Sequence, residues 1–165
     1  MNKMYLHLKD LQEYHVTYEW YTFYVGIEEN YFRKEILTEF AIELMQKGDN
    51  SELISALAWG IDEEDFAETM ARIKRRHVQF LKKKTGSWEI EFRKLRYVYL
   101  KKAEKECTSE NELLDAIAQF YDNFGYPEDM SGFINYMPQD LPTSSTDLLN
   151  RFKCFLEFER KYLNL

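Results

Sequence analysis

Along most of this chain apolar residues return every three or four positions, and few helix breakers interrupt them. Between Arg33 and Lys47, for example, Ile36, Leu37, Phe40, Ala41, Leu44 and Met45 form one broad stripe, and Gly48 stands where a helix of that length should stop. Only three prolines and six glycines occur in 165 residues. That pattern leaves little room for a sheet. It predicts an all-α fold, an irregular bundle of about six to eight helices, in a single domain spanning residues 1–165.

The order of elements follows from caps and stripes. Residues 4–15, with Tyr5, Leu6, Leu8 and Leu11, fit a short helix or an alternating strand equally well. Thr17 is a candidate N-cap, with Glu19 in the first turn, for a helix to about Ile27. That helix carries Tyr18, Trp20, Tyr21, Phe23 and Tyr24, rings enough to pack on two sides or to form a docking patch. Asn50 or Ser51 should cap a short helix through Ala58, with Leu53, Ile54 and Leu57 inward and Gly60 ending it.

Asp62 heads an acidic first turn, Glu63, Glu64 and Asp65, suited to the positive end of a helix running to about Lys84. On that helix Phe66, Met70, Ile73, His77 and Phe80 or Leu81 share a face, which makes His77 a core-edge residue. A helix from Ser87 presents Trp88, Phe92, Leu95, Val98 and Tyr99, and the short link before it favours antiparallel pairing with its predecessor. Ser109 and Glu112 form a capping box for a helix carrying Leu113, Ile117, Phe120 or Tyr121, and Phe124. Ser144 and Asp147 cap the last helix, which carries Leu148, Leu149, Phe152, Phe155, Leu156 and Tyr162.

Between these two helices the chain must stop, turn and restart. Gly125 can take the left-handed conformation after a helix ending near Phe124, and Tyr126 is pushed out of helical space by Pro127. Pro127 suits the first position of a new helix, followed favourably by Glu128 and Asp129. Met130, Phe133, Ile134 and Met137 then read as the buried stripe of a wedge helix two to three turns long, closed by Pro138. Glu128, Asp129, Ser131 and Asn135 point away.

Charge is unevenly spread. The net charge is -7, yet Arg72 to Lys105 holds 13 of the 22 Lys and Arg residues against three acids, Glu89, Glu91 and Glu104. This basic segment could steer a charged partner. Nucleic acid is nevertheless not the expected ligand, because the pI is near 5.1 and no helix-turn-helix, RRM or finger motif is present. Cys107 and Cys154 lack zinc-ligand spacing and read as reduced thiols. No apolar run long enough for a membrane span and no signal-peptide pattern is found, so a cytoplasmic protein is expected. The chain has no GxSxG, P-loop, GxGxxG or HExxH motif, so no cofactor, metal site or catalytic residue is assigned.

Taken together, Gly125-Tyr126-Pro127-Glu128-Asp129, Phe133, Tyr136-Met137-Pro138 and a closing helix with Arg151 and Tyr162 resemble a small bacterial family, domain of unknown function 2247. The layout from Thr17-Tyr18-Glu19-Trp20 through Met45 to Gly48-Asp49 is similar too. The resemblance implies a cytoplasmic, single-domain helical protein and carries no catalytic residues. The expected function is non-catalytic protein interaction, in the form of an immunity protein neutralising a basic toxin domain. The alternatives are a helical scaffold or regulatory module, or an enzyme with a carboxylate site. Tyr126, Glu128, Asp129, Asn135 and Asp140 are the expected partner contacts, since the outward side of the wedge should carry them.

Overall fold

The structure is a computed structural model that describes residues 4–79 and 86–165. It is 70% helical, and no strand occurs among the described residues. Eight α-helices are present: α1 (Leu8–Glu13), α2 (Trp20–Glu28), α3 (Glu35–Gln46), α4 (Glu52–Ala58), α5 (Glu63–Ile73), α6 (Gly86–Glu106), α7 (Glu110–Asn123) and α8 (Ser145–Tyr162). A π turn, Lys74–Val78, continues α5, and a 3-10 helix, Glu128–Phe133, lies between α7 and α8. Counting the 3-10 helix gives nine helices among the described residues, slightly more than expected. The chain forms two compact units, Tyr5–Leu95 and Arg96–Leu165 with Met4, and passes from one to the other within α6.

In the first unit, Tyr5, Leu6 and His7 lead into α1. His7 opens α1, its amide donating to Asp10 Oδ2 at 2.8 Å, and the Leu6 amide donates to the Tyr31 carbonyl. The cap of α2 is Glu19, not Thr17. Its amide is held by Thr22 Oγ1 at 3.0 Å, while Thr17 instead accepts from Lys94. Trp20 and Phe23 are buried and pack on Phe40 of α3 at ring separations of 4.9 and 4.6 Å. Tyr18, just before α2, and Tyr21 and Tyr24 on it are half-buried, so the rings of this segment serve two-sided packing. Gly26 lets the Phe32 ring lie against the α2 backbone, because a Cβ there would stand 2.2 Å from two of its ring carbons.

Helices α3 and α4 end at left-handed Gly48 and Gly60, as their stripes imply, and Thr38 Oγ1 ties them by donating to the Leu57 carbonyl at 2.9 Å. The α5 pattern is altered by the π turn. An added residue per turn lets Val78 follow Ile73 into the core, and half-buried His77 stacks on Trp20 at 5.0 Å. Among the described residues, α5 and the π turn pack on α2, so pairing of α5 with α6 is not the dominant contact. Phe80, Leu81 and Lys82 to Lys84 lie outside the described residues.

The second unit contains the C-terminal part of α6, α7, the 3-10 helix and α8. Leu113, Ile117 and Phe120 of α7 and its C-cap Phe124 are buried, as are Leu148, Leu149, Phe152 and Leu156 of α8. Tyr162, expected on the α8 stripe, is exposed instead. The Ser144–Asp147 capping box forms in both directions, at 3.0 and 3.1 Å. At α7 only half of the expected box forms: Ser109 Oγ accepts from the Glu112 amide, while the Glu112 carboxylate turns to Thr108.

Candidate functional site

The turn after α7 is tighter than its sequence suggests. Gly125 takes φ +82° as expected, and Tyr126 leaves right-handed helical space before Pro127 by turning left-handed as well, at φ +55°. The Tyr126 amide reaches back to the Tyr121 carbonyl at 2.9 Å, the six-to-one bond of a Schellman ending, which offsets the strain of a non-glycine residue there. The same geometry sets the Tyr126 ring edge-on to Tyr121, with centroids 5.3 Å apart.

The expected wedge α-helix is a six-residue 3-10 helix, and Pro127 is its cap, not its first residue. Ser131 Oγ donates to the Glu128 carbonyl at 3.0 Å, and Arg151 Nη1 of α8 donates to the Gly132 carbonyl at 2.9 Å. Both bonds occupy acceptors near an α-helical ladder, and Gly132 adds an entropic cost to helix. The inward stripe survives the change. Met130, Phe133 and Ile134 are buried, with Phe133 against Phe152 and Phe155, and Met137 is half-buried.

On the outer side an acidic tyrosine face results. Tyr121 is buried at its centre; Tyr126 and Tyr136, 60% and 53% exposed, flank it. The Tyr136 hydroxyl donates to Asp122, and that hydrogen bond, ahead of burial and nearby charge, pushes the phenol up to about 12. Asn135 Nδ2 donates to Asp115 Oδ1 at 3.0 Å. Asp115, Asp122 and Glu128 are all exposed.

Of the five residues singled out from sequence, Tyr126 and Asn135 join this face through α7, and Glu128 follows Tyr126 by two residues in the exposed turn. Asp129 does not present a free carboxylate. It is clamped by Arg96, through Nη1 at 2.8 Å and Nη2 at 2.9 Å. Asp140 is exposed in the following loop. Tyr121, Asp115, Asp122 and Tyr136 were not singled out. Asp115 and Asp122, seven residues apart and off the α7 stripe, carried a helical signal that could have found them.

Arg96 itself is only 2% exposed. It also donates to Glu159, 1% exposed, at 3.2 Å, and its guanidinium lies 4.8 Å from the Phe155 ring centre. Burial works against its charge, but Asp129 and Glu159 overcome this and raise its pKa. The cluster locks the 3-10 helix to α6 and α8, and so holds the tyrosine face in place.

A cleft of about 590 Å³ opens elsewhere in this unit, between α6, α7 and α8. Its charged groups are largely paired, Lys101 with Glu104 at 3.1 Å and Arg160 with Glu157 at 2.6 Å. Arg160 holds the Glu157 carboxyl below its usual range, and burial pushes the Cys107 thiol up, which suits neither general-acid nor nucleophilic work. Among the described residues no group of three His, Cys, Asp or Glu could hold a metal ion, and no helix is long and apolar enough to cross a membrane. No curated protein and no solved structure matches the chain. Residues 8–160 do match the model of an uncharacterised protein family conserved in bacteria, DUF2247, and the chain belongs to that family.

Proposed function

We propose that this protein is a non-catalytic, cytoplasmic binding protein of the immunity type, which occludes a basic protein partner, such as a nuclease toxin domain, with its acidic tyrosine face. The observation that carries the reading is the pair Tyr126 and Tyr136, both more than half exposed yet held by Tyr121 and Asp122. Tyrosines fixed in this way anchor an interface at little cost in side-chain entropy, and the surrounding carboxylates speed encounter with a basic surface.

The test is a pull-down from the native cell, followed by association kinetics over a range of salt concentrations. One basic protein should be recovered, with an on-rate that falls as salt rises. Tyr126→Ala and Tyr136→Ala should each weaken binding by about 2 kcal/mol, as hot-spot truncations do. A complex unaffected by both substitutions, or indifferent to salt, would overturn the reading and leave a helical scaffold or regulatory module in front. The adjoining reading frame offers a cheaper check: a large secreted toxin encoded beside this protein is the expected neighbour.

A further inference from the structure

The outward face of α8 carries a pattern that matches itself. At 3.6 residues per turn, Asp147, Asn150, Arg151, Glu157, Phe158 and Lys161 all lie within about 60° of Cys154, and each is exposed. Phe158 is 63% exposed, a large apolar side chain in the middle of a charged face. Charge alternates along it: Asp147 negative, Arg151 positive, Glu157 negative, Lys161 positive.

We propose that this face is a homodimer interface, in which α8 of one copy packs antiparallel on α8 of a second, with the two-fold axis at Cys154. A two-fold axis there places each residue opposite one about equally far from Cys154 in the other direction, and both members of a pair must lie to the same side. At the shallow left-handed crossing of about 20° usual in helical bundles, Asp147 then meets the second copy's Lys161. Arg151 meets Phe158, and Asn150 meets Glu157. Every one of these contacts is complementary: an ion pair, a cation over a ring, and an amide donating to a carboxylate. Each occurs twice by symmetry. A parallel arrangement would instead set like charges side by side.

The side chains are partly prepared for the role. Arg151 is anchored through Nη1 to the Gly132 carbonyl and to Gln139 Oε1 at 3.0 Å, which fixes its guanidinium beside the face. Arg160 holds Glu157 in place through two bonds, at 2.6 and 3.0 Å. A second copy satisfies the face because the complementarity is to its own sequence; no other partner is specified by it. This surface is separate from the acidic tyrosine face, and the proposal stands without the binding function above.

The test is sedimentation equilibrium of the full chain at low salt, from micromolar to sub-millimolar concentration. A concentration-dependent dimer is expected. Lys161→Glu and Asp147→Lys each set two like-charge pairs into the homodimer and should weaken it by about tenfold or more, whereas an equimolar mixture of the two variants restores opposite charges and should recover dimerisation. Because Asp147 also caps α8, helicity of its variant is checked by circular dichroism. Phe158→Ser, which leaves every cap intact, should weaken the dimer independently. A short bis-maleimide should couple two parent chains, and Cys154→Ala should abolish that product. A strictly monomeric chain, or a dimer that neither the charge variants nor Phe158→Ser weakens, would overturn the proposal.

Discussion

The two units organise their interiors differently. Around α2 in the first unit, order comes from rings: Trp20 meets Phe40 edge-on, Phe23 packs on Phe40 at a tilt, and Gly26 admits the Phe32 ring against its backbone. In the second unit an ion cluster, Arg96 with Asp129 and Glu159, sits beside packed apolar side chains. Apolar packing is non-directional and tolerates exchange of residues of similar volume; a buried guanidinium accepts few geometries. The directional cluster holds Asp129, in the segment between Tyr126 and Tyr136, the two exposed tyrosines of the proposed binding face. The first unit has two buried carboxylates of its own, but Asp10 accepts from the His7 amide at 2.8 Å, and Glu91 is served by the Thr22 hydroxyl at 2.9 Å and the Lys94 ammonium at 3.0 Å.

The strongest way to break this comparison is Arg96→Met. It leaves Glu159 buried without its cation and should cost about 3–5 kcal/mol in urea denaturation. Adding Glu159→Leu should recover much of that loss. If the single variant is as stable as the parent, the second unit is held by apolar packing like the first. Phe133→Ala, close to the same cluster, should lose about 3–5 kcal/mol, the range for large aromatic truncations in cores, and a stable variant would show that the 3-10 helix is not a core element.

In the first unit Gly26→Ala tests whether the rings are packed as tightly as their geometry demands. The added methyl must displace the Phe32 ring, and Leu95 Cδ1 stands at 3.0 Å behind it, so a loss of about 1–3 kcal/mol is expected.

The smallest effect separates two causes of the same pKa shift. The Tyr18, Tyr21 and Tyr24 phenols are raised first of all by burial, whereas Tyr136 is raised first by its hydrogen bond to Asp122. Because the folded Tyr136 pKa lies above 10, the unfolded chain releases that proton first. The bond's stabilisation is therefore complete below pH 10 and lost as pH rises through about 12. Asp122→Asn should return Tyr136 toward 10 in an ultraviolet titration and leave Tyr18, Tyr21 and Tyr24 unchanged. A parent chain with no phenol titrating near 12 would contradict the Tyr136–Asp122 contact.

The buried charges were open to a stricter reading of the stripes. Arg96 lies four residues after Phe92 and three before Tyr99, and Glu159 lies four after Phe155 and three after Leu156, so both occupy core phases of their helices. A polar residue at such a phase announces a buried partner but not which one. The turn at Tyr126 was less legible. The following proline argues locally for an extended residue, and the bond to Tyr121 and the packing of the ring prevailed.

What the sequence determined by itself was local: α3 between Arg33 and Gly48, α4 ending at Gly60, the Ser144 cap of α8, and the inward side of Met130, Phe133 and Ile134. Each depends on residues within a turn or two, where spacing, caps and left-handed glycines act directly on the backbone. Tertiary structure decided the rest. Arg96 is paired with Asp129 and Glu159, 33 and 63 positions away, and Glu91 with Thr22, 69 positions away. The carbonyls that Ser131 and Arg151 capture after Pro127 favour a 3-10 helix over an α-helix. Burying a charge is tolerable only when its partner arrives with it, and no local pattern records which distant residue that will be.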